Sequence, residues 1–93
     1  MSKGIVRRGD FTAGHAGFNP TPAISGSSDT FVNGRGVVRT GDRFFLHCHR
    51  GCHVPIALMG SRTYYVNGRS VIRKGDRLSC TDKAYQCSLD TFA

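Results

Sequence analysis

The segment HCHRGCH, residues 47–53, places His47, Cys48, His49, Cys52 and His53 within seven positions of a chain that has four histidines and four cysteines in all. Imidazole nitrogen and thiolate sulfur are the donors zinc prefers, and a structural zinc closes a tetrahedron of four of them. His15, Cys80 and Cys87 are the remaining donors of these types. Haem attachment needs Cys-x-x-Cys-His, whereas Cys48 and Cys52 have three residues between them, so that chemistry is set aside. Two disulfides are the other use for four cysteines. The start MSKGIVRRGD has no apolar export segment, and histidines crowd beside the cysteines, so a metal is the expected use. A Cys48–Cys52 bridge would need the protein to meet an oxidising compartment, and Cys87 has no obvious partner.

The elements that must position these donors come in repeats. AISGSSDTFVNGRGVVRTGDR (23–43) aligns without gaps on ALMGSRTYYVNGRSVIRKGDR (57–77), with 12 of 21 positions identical. Each copy carries Val-Asn-Gly-Arg between β-branched and aromatic residues, the strongest short signal for a β-hairpin. A second tight turn follows at Gly41-Asp42 and Gly75-Asp76. A third copy is split between the two ends: GIVRRGD (4–10) matches GVVRTGD (36–42), and SLDTFA (88–93) matches SSDTFV (27–32). Pairing of the last strand with the first would complete three equivalent hairpins around one pseudo-threefold axis. The prediction is an all-β fold of short hairpins, in a single domain over residues 1–93.

Each Gly-Asp turn leads to a donor at nearly the same spacing: Asp10 to His15 is five residues, Asp42 to His47 is five, and Asp76 to Cys80 is four. Threefold geometry would gather His15, His47 and Cys80 near the axis, with His53 or one of its neighbours as the fourth donor. A closed shell leaves no open position for a catalytic water, which argues for structure over catalysis. Each residue also has a plainer reading: His15 as an exposed loop histidine, His47 as a half-buried strand residue, Cys80 as a small hydrophobe. The shared register is what favours the joint one.

Ninety-three residues bury only a modest core, so a metal or a partner is expected to supplement it. Thirteen Lys and Arg against six Asp and Glu give a net charge of +7, which suits a polyanionic partner. The basic residues form no long run and do not interleave with aromatics in a nucleic-acid signature. A basic zinc module that binds nucleic acid is therefore the alternative, and it gives no reason for threefold repetition. No nucleophile, base and orienting group come together in the sequence, so no enzymatic activity is expected.

These residues resemble the PAAR-repeat proteins, which tip the spikes of type VI secretion systems and contractile phage tails. The likeness is carried by Gly26-Ser27 to Val32-Asn33-Gly34, Arg39-x-Gly41-Asp42, the His47–His53 segment, Gly60-Ser61 to Val66-Asn67-Gly68, and Arg73-x-Gly75-Asp76 leading to Ser79-Cys80. The resemblance implies a small β-cone with one structural zinc ion near its apex. By that likeness three histidines and a cysteine hold the zinc, here His15, His47, His53 and Cys80. It also implies a base seated on a homotrimeric β-helical spike, one copy of the chain per trimer, and a tip that caps, sharpens and pierces membranes without catalysis. The eponymous tetrad is not kept: Gly36-Val37-Val38-Arg39, Ser70-Val71-Ile72-Arg73 and Gly4-Ile5-Val6-Arg7 preserve only the arginine, and the glycine of the Gly-Ser pair is Cys87 in the third unit.

On this reading the protein is made in the bacterial or infected-host cytoplasm and carried to the tip of a virion spike or secreted with a type VI spike. Effector cargo would bind non-covalently, contact with the target envelope would be transient, and nucleic acid is not an expected partner. His53, after the Arg50-Gly51 bend, has room to return to the metal, while His49 lies too near His47 to complete a tetrahedron with it. His49, Cys48 and Cys52 are expected to be dispensable for metal binding.

Overall fold

The computed structural model describes residues 3–14, 17–48, 51–80 and 82–93. Among them the regular structure is three two-stranded antiparallel hairpins: β1 (Phe31–Val32) with β2 (Arg35–Gly36), β3 (His47–Cys48) with β4 (Cys52–His53), and β5 (Tyr65–Val66) with β6 (Arg69–Ser70). The turns of the first and third hairpins are Asn33-Gly34 and Asn67-Gly68. All four residues have positive φ, 54° and 77° in one and 55° and 75° in the other, the conformation for which Asn-Gly is selected.

Ends of the chain rebuild the same hairpin. Lys3 and Ala93 exchange backbone hydrogen bonds of 3.1 and 2.9 Å, and Gly4 bridges Phe92 as Gly36 bridges Phe31. The expected closure of the third unit by the first and last strands is therefore seen. At the centre, the Val6 N–H donates to Ile72, Ile72 to Val38 and Val38 to Val6, at 2.9, 2.9 and 3.0 Å, a closed triangle of backbone bonds. None of these three side chains is exposed.

Alternation along the strands divides the core in two. Ile5, Val37 and Val71 face one way, with Val66 and the half-buried Val32 and Ala93 around them. Val6, Val38 and Ile72 face the other way, onto Ala23, Ala57, Ala84, Phe44 and Leu78. The alanines are equivalent across the units: Gly9, Gly41 and Gly75 donate their N–H groups to Ala23, Ala57 and Ala84 at 2.9, 2.8 and 2.7 Å.

Threefold repetition also explains the arginine that survives in each copy. Arg7, Arg39 and Arg73 each grip the aspartate three residues on, Asp10, Asp42 and Asp76, through Nε and Nη2 and through the backbone N–H. The Gly-Asp turn thus carries a charge-assisted fork that a buried carboxylate needs. Two Asn side chains then join adjacent units. Asn67 Oδ1 accepts from Arg39 Nη1 at 2.7 Å and from Ser27 Oγ at 2.8 Å, while its Nδ2 donates to Asp29. Asn33 does the same with Arg7, Ser88 and Asp90.

Cys87 occupies the position of Gly26 and Gly60 and lies against Gly4, where an added Cβ would collide with its sulfur. Exchange of glycine for cysteine on one strand is accommodated by the glycine across from it.

Candidate metal centre

Loops that follow the Gly-Asp turns leave the threefold pattern. The loop after Asp42 carries β3 and β4, in which His47 is paired with His53 and Cys48 with Cys52. This register turns both imidazoles to one face, where their Nε2 atoms are 2.6 Å apart. Cys80, on the loop after Asp76, places its sulfur 3.9 Å from His47 Nε2. The three donor atoms lie within 4.8 Å of one another, with His47 buried and His53 and Cys80 partly so. Cys80 packs against the Val6, Val38 and Ile72 side of the core, so the cluster lies on that side of the ring.

His47 is held in one tautomer. Its Nδ1 lies 3.0 Å from the backbone oxygen of Asn19, which can only accept, so the proton sits on Nδ1 and Nε2 presents its lone pair to the cluster. This outer contact is the usual one for a ligating histidine. Phe18 covers both rings, with centroids 4.7 Å from His47 and 4.6 Å from His53, and limits access of water.

Electrostatics of Cys80 resist ionisation in the absence of a cation. Burial raises its pKa, and the charge of Asp82 adds to that, against hydrogen bonding from the Asp82 backbone. Asp82 is itself buried, and among the described residues its Oδ2 has no hydrogen-bond partner. A cation beside Cys80 would relieve both groups at once. Around a tetrahedral zinc, nitrogen donors stand roughly 3.3 Å apart and nitrogen and sulfur roughly 3.6 Å. To reach that, the two imidazole nitrogens would part by about 0.7 Å and the widest donor pair would close by up to about 1.2 Å, and the donor set fits a metal ion.

Of the expected ligands, the structure brings His47, His53 and Cys80 together. His15 lies outside the described residues, as does His49. Cys48 and Cys52 form a disulfide, so for this pair the bridge, not the metal, is the use the structure shows. Cys80 and Cys87 are free thiols. Neither the Asn19 carbonyl nor the Phe18 cover was legible in the sequence, since both lie outside the repeated hairpins and Gly-Asp turns.

No curated protein matches the chain. A family model of the PAAR motif matches residues 13–85, a span that takes in two of the Gly-Asp turns and the whole His47, His53 and Cys80 cluster. With that match over most of its length, and with its ring of short hairpins, the chain belongs to the PAAR family of structural spike-tip proteins.

Proposed function

We propose that the chain is the non-enzymatic tip that caps and sharpens a homotrimeric β-helical spike of a type VI secretion system or a contractile phage tail, one copy per trimer. The observation that carries this reading is an apolar collar repeated three times. Phe31, Tyr65 and Phe92 occupy equivalent positions in the three hairpins and are 58, 56 and 50% exposed. Ile24, Leu58 and Tyr85 form a second equivalent set, each about half exposed. Large apolar side chains presented at threefold intervals suit a partner that offers three identical edges. A single pseudo-symmetric chain meets all three at once.

In this role the metal is one structural zinc ion held by His47, His53 and Cys80 with His15 as the fourth donor. It ties the loop after Asp42 to the loop after Asp76. Zinc supplies folding free energy there, about 10 kcal/mol or more in small sites. The chain is made in the cytoplasm of the bacterium or infected host and travels at the spike tip to a target envelope.

The basic charge is a weaker argument for nucleic acid than its total implies, because Arg7, Arg35, Arg39, Arg69 and Arg73 are all in ion pairs with Asp10, Asp42 or Asp76. Native mass spectrometry of the chain mixed with the trimeric spike protein of the same genome tests the proposal. One copy per trimer is expected, with binding weakened by joint substitution of Phe31, Tyr65 and Phe92 by serine while metal content is kept. Three copies per trimer, or tight binding to duplex DNA at physiological salt with none to the spike, would overturn it.

A further inference from the structure

The disulfide sits one rung from the two histidine donors. Cys48 and Cys52 face each other across β3 and β4, next to the His47 and His53 pair. Neighbouring side chains on a strand leave opposite faces. The histidines accordingly turn in toward Cys80 and Phe18, and the two cysteines are exposed on the outer face. The sulfurs are therefore placed to tie the strands that carry two donors without competing for the ion. A hairpin of two rungs is marginal by itself in water. Without the tie, metal binding would have to order it.

We propose that Cys48 and Cys52 are a redox site that sets the affinity of the metal centre, the closed disulfide preorganising His47 and His53 and the open dithiol releasing them. This rests on the reading of His47, His53 and Cys80 as the metal-holding group. Closure proceeds by exchange with a low-molecular-weight disulfide such as glutathione disulfide. One cysteine sulfur attacks it, forming a mixed disulfide and expelling one thiol; the second cysteine attacks the mixed disulfide, forming the Cys48–Cys52 bond and expelling the other thiol. The two thiol protons end on the departing molecules, and the protein's two electrons reduce the external disulfide. The reducing cytoplasm favours the dithiol and an oxidising envelope the bridge. The proposed route of the tip would thus tighten its metal hold on the way to the target.

The size of the effect is bounded by the loop. Closing about five residues limits the chain-entropy gain to a roughly 30-fold change in an equilibrium constant, and about tenfold is expected at the metal. The test is titration with Zn2+ against a chromophoric chelator. Its samples are the wild type oxidised by glutathione disulfide, the wild type reduced by a phosphine, and a Cys48→Ser/Cys52→Ser variant handled both ways. Oxidised wild type should bind about tenfold tighter than reduced. The double variant should match reduced wild type and ignore the redox treatment. In the metal-free protein, amide exchange at residues 47–48 and 52–53 should be slower when the bridge is closed. Equal affinities of the two wild-type forms would overturn the inference while leaving the metal centre standing. A redox response that survives in the double variant would assign it to Cys80 or Cys87 and overturn it as well. Failure of every form to bind Zn2+ would remove the metal centre and this inference together.

Discussion

In the ring, three structural roles are each filled three times: a backbone bond from Val6, Val38 and Ile72, an Arg and Asp fork, an alanine under each Gly-Asp turn. At the metal end the described donors come unequally, two from the loop after Asp42 and one from the loop after Asp76. Repetition distributes stability, so loss of one copy leaves two. The metal end has no such reserve, and each donor there matters singly.

Substitution of a donor should therefore give the largest effect in the molecule. His53→Ala and Cys80→Ser are expected to lose metal affinity by more than the roughly 100-fold that loss of an outer supporting contact costs. His49→Ala should keep it. Metal content by plasma mass spectrometry, with amide exchange as the structural readout, separates the regions: exchange should rise in β3 and β4 and stay slow at Val6, Val38 and Ile72. Fast exchange in the ring as well would mean that the two regions are not separable. Because burial pushes the Cys80 thiol up, a proton must leave when the metal binds. Affinity should then fall by about tenfold per pH unit on acidification from this ligand alone.

The reverse contrast is Asp42→Ala. It leaves Arg39 and Arg69 without their carboxylate, and a buried charge stripped of its partner costs about 3–5 kcal/mol. Urea unfolding should show that loss, with one metal per folded molecule retained. Acid should act on the same seams. Burial opposes ionisation of Asp42, but hydrogen bonds from the Arg39 side chain and backbone and from Ser25 outweigh it and hold its carboxyl below the usual range. Asp29 and Asp90 are lowered first by Asn67 and Asn33. Groups with depressed folded values stabilise above their unfolded pKa, about 3.9, and lose that contribution as pH falls through the folded value. Metal-free protein should thus melt at a constant temperature down to about pH 5 on this account and decline below about pH 4.

A smaller effect belongs to the seams themselves. Asn67→Ala would take the acceptor from Arg39 Nη1 and the amide donor from Asp29, and Asn33→Ala would do the same to Arg7 Nη1 and Asp90, while Ser27 and Ser88 keep their bonds to Asp29 and Asp90. About 1–2 kcal/mol each is expected in denaturant unfolding. The two losses should be nearly additive, since they act at different seams.

How much of this was legible follows from what a repeat can and cannot encode. The Asn-Gly hairpins and the closure of the ends were readable because they rest on local turn chemistry and register. The Arg-x-Gly-Asp fork was spelled out three times and could have been read from the spacing of three residues between charges. The seams were not readable, because where the tip of a hairpin lands on its neighbour depends on the twist of the closed ring. Pairing of Cys48 with Cys52 needed the hairpin register, which the bend at Gly51 alone does not fix.

The third seam offers the finest test of the comparison. Arg73 has its fork to Asp76 but no asparagine, because the corresponding turn of the third unit would lie between Ala93 and Lys3. The neighbouring residue follows suit: where the other units have Asp29 and Asp90 to receive the asparagine amide, this one has Thr63, which meets Ser61 instead. Met1 and Ser2 stand in sequence where Asn-Gly stands in the other copies. A backbone-cyclised chain, with Ala93 joined to residue 1 and carrying Met1→Asn, Ser2→Gly and Thr63→Asp, should therefore gain a complete third seam. Relative to the same cyclic chain with Met1→Ala, about 1 kcal/mol is expected, a rise in melting temperature of roughly 4–8 °C. Thr63→Asp in the open chain should give no gain, since it has no amide to hold. A gain in the open chain, or none on cyclisation with asparagine, would show that the two existing Asn bridges do not stabilise the ring in the way their hydrogen bonds imply.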